Sequence, residues 1–386
     1  MKAALPLSVP RAPRPRIVRC RPRGAIDSSP NPTMGEIYSV NTALGYDDIF
    51  LEHGMPDHPE RAERLRVIMQ RLEETGLADQ MQRLPMRGAS VEELCWLHEE
   101  SYVEEVRALS EAGGGDIDLD TRATARTWDA ARAAAGLCID AALGVYDRSV
   151  DNALLLVRPP GHHARPHVGM GFCFFNNAAF AAEGLIRQGA ERVAIVDFDG
   201  HHGNGTQEMF YHRGDVLLIS IHQRPLFPGT GTVDEIGIDE GSGATINCPV
   251  PPHAQDIHYL RLFDELLLPV LHMYEPEAII VSAGFDAHFR DTLVQLSLTA
   301  RGYFLMAVGL LTAARDLCDG RLLMVLEGGY DLEAGLPESV EATARALMRE
   351  PEGEWLALES QPHREATLRV EEAVEAIIEA HRERLG

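Results

Sequence analysis

Lysine is almost absent from this sequence. Lys2 is the only lysine among 386 residues, and with 59 acidic and 35 basic residues the net charge is −24. So acidic a chain repels nucleic acid and suits basic partners, although a charged surface also serves plain solubility. Long hydrophobic runs are missing too, and none approaches the roughly 20 residues of a membrane-spanning helix. We therefore expect neither a nucleic-acid partner nor insertion into a membrane.

Cysteine is scarce and scattered. The cysteines form no CxxC pair and no spacing typical of a disulfide framework; they are Cys20, Cys95, Cys138, Cys173, Cys248 and Cys318. A chain of this kind belongs by default in a reducing compartment. We expect a cytoplasmic protein.

The first 35 residues differ from the rest in composition. They are rich in proline, arginine and serine and carry a net charge of +6, which leaves −30 for the remainder. They lack the apolar segment of a secretory signal peptide, and their composition predicts disorder. A transit peptide and a false start upstream of Met34 both agree with this composition. We expect a leader at 1–35, a main domain at 36–350 and a helical tail at 351–386 that packs on the domain or on a partner subunit.

Apolar runs and helical periodicities alternate along the main domain. Strands are expected near 153–158, 193–199, 216–222, 278–284 and 322–327. Helices are expected near 58–75, 90–111, 130–143, 178–188, 257–274 and 367–385. The first two helix starts rest on capping-box pairs, Asp57 with Glu60 and Ser90 with Glu93. This alternation predicts a single α/β domain whose parallel β-sheet is flanked by helices on both faces.

The strand at 193–199 ends in ionisable residues. Side chains alternate along a strand, so Asp197, Asp199 and His201 share one face while the backbone stays extended. Glycines at 200, 203 and 205 permit the close backbone approach that a loop over an ion requires. Turns after strands are also rich in Asp, Gly and Asn for ordinary reasons. The density of potential ligands nevertheless favours a metal site.

Three other predicted strands end in the same way. Open α/β sheets bind ligands at the carboxyl ends of their strands, so we expect these side chains to meet. They are His162 and His163 after the strand near 153–158, Asp286 and His288 after 278–284, and Glu327 with Tyr330 after 322–327.

Taken in order, these motifs resemble the zinc-dependent histone deacetylase family, in its class II-like and bacterial deacetylase and acetylpolyamine amidohydrolase branch. The match runs from about residue 40 to about residue 345. Each motif alone is a weak signal, whereas the ordered set is specific. The set comprises His58–Arg61, Pro160–Ala164, Gly171–Asn177, Asp197–Thr206, Phe227–Gly231, Gly284–Ala287 and Glu327–Tyr330. The resemblance implies an arginase/deacetylase-like fold, with the deacetylase domain at 36–350.

The resemblance implies two cation sites. Asp199, His201 and Asp286 match the family's zinc ligands, and such oxygen-rich ligands also accept Fe²⁺ or Co²⁺. A potassium ion is implied beside the zinc, held partly by main-chain oxygens. Its matching positions are Asp197, Asp199, His201, Ser220 and Ile221.

The resemblance also implies catalytic roles. His163 matches the base that takes a proton from the attacking water and later passes one to the leaving amine. Asp197 would orient His162 and favour its charged form, whereas Asn204 would orient His163 with a neutral amide. Tyr330 matches the residue whose hydroxyl stabilises the developing oxyanion. His202 and His288 have no assigned role, and we expect hydrogen-bonded histidines there rather than ligands.

A narrow substrate channel is implied as well. Phe172, beside Gly171, and Phe227 match two aromatic walls that would sandwich the methylenes of an acyl-lysine. Asp120 falls near an acidic position that holds the substrate backbone in some members, and Leu293 falls at a rim that is acidic in polyamine-selective ones. Thr292 stands where proline is common. An apolar rim suits a protein or peptide substrate better than a polycation.

These observations predict a metal-dependent amidohydrolase that removes acetyl or other acyl groups from the ε-amine of lysine. Hydrolysis of acetylpolyamines or other small acyl-amines is the alternative within enzymes. A non-catalytic acyl-lysine binding module is the alternative from another class, and the matches at His163 and Tyr330 argue against it. Arginase-type chemistry is less favoured because a dinuclear site needs more bridging carboxylates. The sequence is compatible with a homo-oligomer and does not decide the oligomeric state.

Overall fold

The computed structural model describes residues 40–353, residue 356 and residues 367–385. The predicted leader at 1–35 lies outside the described residues. The described strands are β1 (Thr42–Gly45), β2 (Gln82–Arg83), β3 (Gly114–Asp116), β4 (Arg122–Thr124), β5 (Asn152–Leu155), β6 (Val193–Asp197), β7 (Val216–Gln223), β8 (Thr245–Val250), β9 (Ala278–Ala283) and β10 (Leu322–Leu326).

The described α-helices include long surface helices and short connecting ones. They are α1 (Glu63–Glu74), α2 (Val91–Leu94), α3 (Glu100–Glu111), α4 (Thr127–Tyr146), α5 (Asn177–Gln188), α6 (Asn204–Phe210), α7 (Asp256–Leu262), α8 (Leu268–Tyr274), α9 (Ala300–Cys318), α10 (Gly335–Leu347) and α11 (Thr367–Leu385). Short 3₁₀ turns lie at Asp48–Leu51 and Asp239–Gly241, and a π-helical segment, Phe263–Leu267, joins α7 to α8.

Eight of the described strands form one parallel sheet in the order β2-β1-β5-β10-β9-β6-β7-β8. Its central strands are entirely buried and rich in branched apolar residues, as expected of a parallel sheet covered on both faces. Helices α4 and α5 pack on each other, as do α9 and α10, and both pairs contact the central strands. The predicted single α/β domain with a parallel sheet flanked by helices is confirmed.

The last helix covers one edge of the sheet. Among the described strands, β8 pairs only with β7, and α11 packs against β8 and α7. The apolar face of α11 buries Val370, Val374 and Ile378. His381 Nε2 lies 2.8 Å from the main-chain oxygen of Asn247 in β8. A strand edge that could pair with another chain is therefore occupied by the protein's own helix.

Two predicted helix boundaries need correction. The helix expected from residue 58 begins at Glu63 without a side-chain cap, because Glu60 is buried and binds Arg64 at 3.0 Å and Arg158 at 2.6 Å. Burial opposes ionisation of Glu60, but Arg158 and Arg64 lower its pKa to about 2. The helix expected at 90–111 is two helices, α2 and α3, and the Ser90–Glu93 capping box at its start is confirmed.

The charged surface is carried by arginine and acidic residues, since no lysine lies within the described residues. Arginine also forms ion pairs among the described residues, for example in the buried Glu60–Arg64–Arg158 cluster and in the exposed Arg107–Glu111 pair. The described cysteines are free thiols. Among the described helices, none combines the length and the apolar composition needed to cross a bilayer.

Candidate active site

The polar residues predicted to meet do so at one edge of the sheet. Strands β5, β10, β9 and β6 are consecutive neighbours, so their carboxyl ends deliver side chains to one place. Residues from all four strand ends line a cavity of about 230 Å³. The lining comprises Asp120, Pro160, His162, His163, Gly171, Phe172, Asp199, His201, Leu226, Phe227, Leu293, Gly328 and Tyr330.

Asp199, His201 and Asp286 form a cluster that suits a metal ion. One ligand atom from each residue lies within 4.8 Å of the others. His201 Nδ1 is 2.7 Å from Asp286 Oδ2 and 3.2 Å from Asp199 Oδ1. Burial and the Asp199 carboxylate raise the pKa of Asp286 to about 6. Two buried carboxylates and one imidazole fit a divalent ion that keeps a coordination position open.

The tandem histidines have different partners and different charges. His162 Nδ1 lies 3.0 Å from Asp197 Oδ2. Burial would lower the pKa of His162, but the carboxylates of Asp197 and Asp199 raise it to about 10. His163 Nδ1 instead faces the amide oxygen of Asn204 at 2.8 Å. Burial, together with the neighbouring His162 and His201, lowers the pKa of His163 well below its usual value. At neutral pH the pair therefore combines a charged His162 with a neutral His163.

Tyr330 stands on the turn after β10 and lines the same cavity. Its ring lies edge-on to Phe172, with the centroids 6.0 Å apart, and the Arg64 guanidinium lies 4.9 Å from the ring centroid. Burial raises the pKa of Tyr330 well above its usual value. The hydroxyl therefore stays protonated and can donate a hydrogen bond.

One wall of the cavity is formed by residues 171 and 172. Gly171 N donates to Asp120 Oδ1 at 3.2 Å, and Phe172 N donates to Thr121 Oγ1 at 3.0 Å. Gly171 has a positive φ of 55°, and a Cβ there would lie 2.4 Å from the ring of His163. Only glycine lets this wall approach the histidine so closely.

The loop after β7 forms the opposing wall. The Phe227 ring lies edge-on to His163, with the centroids 5.1 Å apart, and the side chain is 39% exposed. Glu235 fixes this loop by accepting from the main-chain nitrogens of Gly231 and Thr232, both at 3.1 Å. His202 bonds Thr230 at 2.8 Å, so it is the hydrogen-bonded histidine that was expected.

The comparisons with known proteins agree with this site. The family description "Histone deacetylase domain" matches residues 58–347, which is most of the chain and includes all four strand ends. The chain belongs to the histone deacetylase family. Members of this family are generally metal-dependent hydrolases of acetylated substrates, and the Asp199, His201 and Asp286 cluster is consistent with that chemistry.

Deacetylase relatives cover most of the chain. A "Probable deacetylase" of Archaeoglobus fulgidus is 44% identical over 299 residues, which are 77% of this chain and 83% of the relative. A "Histone deacetylase-like amidohydrolase" of Pseudomonas aeruginosa is 39% identical over 318 residues, 80% of this chain and 82% of the relative. The crystal structure of the HDA15 HD domain superposes with a TM-score of 0.81 at 36% identity, covering 89% of this chain and 95% of that one.

Two deacetylase-site residues had no role in the sequence interpretation. Glu327 accepts from the main-chain nitrogens of Gly161 at 2.7 Å and His162 at 3.1 Å, and burial raises its pKa to about 7. Arg64 Nε donates to the main-chain oxygen of Gly329 at 2.7 Å. Glu327 belongs to the Glu327–Tyr330 motif, and Arg64 lies shortly after the His58–Arg61 motif. Their hydrogen bonds join segments far apart in sequence, which motif matching cannot show.

The residues matched to the deacetylase potassium site surround the start of the loop after β6. Asp197 pairs with Ser220 across β6 and β7, and both are fully buried. Asp199 N donates to Asp197 Oδ1 at 3.1 Å. Ser220 Oγ lies 2.9 Å from His222 Nδ1, and Ile221 follows within β7. The matched residues thus lie around the carboxyl end of β6 and the neighbouring part of β7.

Proposed function

We propose that the chain is a metal-dependent amidohydrolase that removes acetyl or other acyl groups from the ε-amine of lysine in proteins or peptides. The supporting observation is one cavity lined by Asp199 and His201, whose side chains cluster with Asp286, and by His163 and Tyr330. We assign this activity to a domain at 36–350. An acyl-binding module would have no use for a neutral imidazole beside a metal site.

His163 acts as base and then as acid. Asp199, His201 and Asp286 would hold a divalent ion, zinc or else iron or cobalt, which would lower the pKa of a bound water and polarise the amide carbonyl. His163 takes a proton as the water oxygen attacks the carbonyl carbon, and it returns a proton to nitrogen as the C–N bond breaks. The products are a carboxylate and a free amine. Asn204 holds Nδ1 of His163, which keeps Nε2 available for these transfers.

The other polar residues act on charge. Tyr330 donates a hydrogen bond to the oxyanion that develops on the carbonyl oxygen, an interaction that is strongest in the transition state. His162, held by Asp197, adds a fixed positive charge next to His163. Burial and, after it, that charge hold the pKa of His163 down, so the base is neutral and ready to accept a proton at neutral pH.

The cavity wall suits an alkyl chain. Phe172 and Phe227 line it from two loops, and Leu293 adds an apolar rim. An apolar slot of this kind selects methylene groups and excludes water from them. Asp120, also in the lining, would hold the main chain of a peptide substrate. A polyamine has no such main chain and would find no acidic side chain at position 293.

A potassium ion would brace the strand ends beneath the cavity. We assign it to Asp197, Asp199, His201, Ser220 and Ile221, partly through main-chain oxygens. Thermal unfolding in potassium chloride and in tetramethylammonium chloride tests this assignment, because only potassium can occupy such a site. Equal melting temperatures in the two salts would contradict it.

The substrate is tested with a matched pair of acetylated compounds. The metal-loaded protein, Tyr330→Phe and the remote control Tyr46→Phe are assayed on an acetyl-lysine peptide and on acetylspermidine. Lysine deacylation predicts peptide turnover that is preserved in Tyr46→Phe and falls about 100-fold or more in Tyr330→Phe, as for loss of an oxyanion donor. Preference for acetylspermidine would transfer the assignment to polyamine hydrolysis, and peptide binding without turnover would support a binding module.

The metal site is tested by metal content. Asp286→Ala should bind much less than one zinc ion per chain after dialysis, while the exposed Asp264→Ala should bind zinc like the unmodified protein. Equal zinc content in both variants would refute the ligand assignment whatever the activity.

A further inference from the structure

One carboxylate joins the two loops that carry Tyr330 and Leu293. Asp291 lies on the loop after β9, downstream of Asp286. Its Oδ2 accepts a hydrogen bond from Tyr330 N at 2.7 Å, and its Oδ1 accepts one from Leu293 N at 2.8 Å. Both bonded residues line the cavity, whereas Asp291 does not. A residue behind the wall thus holds two residues of the wall.

The turn that carries Tyr330 is held from both sides. On one side, Arg64 Nε donates a hydrogen bond to the main-chain oxygen of Gly329, the residue before Tyr330. On the other side, Arg290, next to Asp291, bonds Asp331 Oδ2 at 3.2 Å, and the same oxygen accepts from Gly335 N at 2.6 Å. Among these hydrogen bonds, the one to Asp291 is donated by Tyr330 itself.

We propose that Asp291 is a positioning residue that sets the main chain of Tyr330, and with it the reach of the phenol hydroxyl into the cavity. The inference rests on the proposed function, in which the Tyr330 hydroxyl donates a hydrogen bond to the oxyanion. A hydrogen-bond donor aimed at an oxyanion is effective only over a narrow range of distance, and a displacement of about 1 Å can cost roughly 100-fold in rate.

The chemistry of the site requires a carboxylate. Two main-chain N–H donors point at two separate oxygens, and a carboxylate offers an acceptor to each. An asparagine of the same shape offers one acceptor and presents an NH₂ group to the other donor. Burial and the Asp286 carboxylate raise the pKa of Asp291 to about 7, so comparison above pH 8 keeps the acid ionised.

The experiment is a double-mutant cycle between positions 291 and 330. Asp291→Asn should lower kcat for the acetyl-lysine peptide about 10- to 100-fold, with a much smaller change in KM and unchanged zinc content. In the Tyr330→Phe background the same substitution should change kcat by less than about twofold, because the hydroxyl it positions is already gone. Asp316→Asn, an exposed substitution of the same kind on α9, should leave kcat unchanged in both backgrounds.

The outcomes separate this inference from the proposed function. If Asp291→Asn lowers kcat by the same factor in the Tyr330→Phe background as in the unmodified protein, the positioning role is overturned and a general structural effect is indicated. Asp291→Glu keeps both acceptors and should recover part of kcat; no recovery above Asp291→Asn would also count against the inference. If Tyr330→Phe alone leaves kcat intact, the role proposed for Tyr330 fails first.

Discussion

His162 and His163 are adjacent in sequence, with ring centroids 4.0 Å apart, yet their pKa values are shifted in opposite directions. Two imidazolium ions at this separation would repel each other strongly. Both rings are buried, but the carboxylates of Asp197 and Asp199 raise the pKa of His162, whereas burial and the neighbouring His162 lower the pKa of His163, whose partner is an amide. The difference between the two histidines therefore depends on burial and on the charge of their neighbours.

Replacing Asn204 by aspartate should change the protonation of His163. A carboxylate 2.8 Å from His163 Nδ1 would raise the pKa of His163 by about 1–3 units. Because the base must be neutral, the acidic limb of kcat/KM should move to higher pH by a similar amount in Asn204→Asp. The pH profile measures this directly, with the exposed Asn41→Asp as the control. A limb that stays in place would show that His163 is not the titrating base.

His98 makes stability depend on pH. Its Nδ1 lies 2.9 Å from Arg165 O, its Nε2 accepts from Asn176 N at 3.1 Å, and burial lowers its pKa to about 4. The unfolded chain takes up this proton below about pH 6.5, and the folded chain only near pH 4. The stability contribution is therefore complete above pH 6.5 and is lost as the pH falls, by about 2 kcal/mol at pH 5.

Urea unfolding at pH 7.5 and pH 5 tests this contribution. His98→Gln should reduce the difference in unfolding free energy between the two pH values by about 2 kcal/mol, because the variant has no proton to take up. His212→Gln, at an exposed position, should leave the difference unchanged. A slope that is the same in all three proteins would exclude His98 as its source.

At the residue scale, the motifs indicated residues that share one cavity, and the helix-cap prediction misjudged a buried ion pair. The structure places Gly171, Phe172, Phe227, Leu293 and Asp120 in the lining of one cavity, and their role as a substrate channel stays a prediction. The sequence predicts that Glu60 takes part in a helix cap, whereas in the structure it forms a buried ion pair with Arg158, which is 98 residues away. Local patterns report local geometry, whereas an ion pair between distant residues leaves no local pattern.

At the element scale, α11 protects the edge of the sheet. Ile378 is fully buried on its inner face, whereas Leu368 on the same helix is 78% exposed. Ile378→Ala should lower the free energy of unfolding by about 2–5 kcal/mol, and Leu368→Ala should lower it far less. Denaturant unfolding of the two variants measures the difference. Equal losses would mean that α11 does not pack on β8 and α7 in solution.

Elements were predicted best where one pattern dominated. The buried strands β6, β9 and β10 are continuous apolar runs, and all three were found. Strand β8 was missed because Thr245, Asn247 and Pro249 interrupt its apolar residues. It is nevertheless a strand, since pairing with β7 supplies what local propensity does not. The break between α2 and α3 was missed because no glycine or proline marks it.

At the scale of the whole molecule, the acidic charge should steer substrates. The net charge of −24 attracts cationic peptides over a distance that salt shortens from about 30 Å at 0.01 M to about 3 Å at 1 M. For two acetyl-lysine peptides, one flanked by arginines and one by glutamates, kcat/KM should favour the basic peptide at low salt. The preference should shrink as salt rises. A preference that salt does not change would place the selectivity in direct contacts.

The overall architecture was predictable because buried strands and helices alternate along the sequence, which indicates a parallel sheet. Ionisable residues after several strands agree with that sheet, since the carboxyl ends of parallel strands lie at one edge. The order β5-β10-β9-β6 itself was not predictable, since neighbouring strands come from distant parts of the chain. Crossover connections allow many strand orders, and only packing of the helices selects one.

The described body of the protein forms its ion pairs with arginine and contains no lysine. It therefore presents no ε-amine that could itself become acylated, and the described part of the chain cannot serve as its own substrate. Amine-reactive cross-linkers would also find no lysine side chain on it. In a mixture with substrate proteins, such reagents and antibodies to acyl-lysine would report on the substrates, because Lys2 is the single lysine of this sequence.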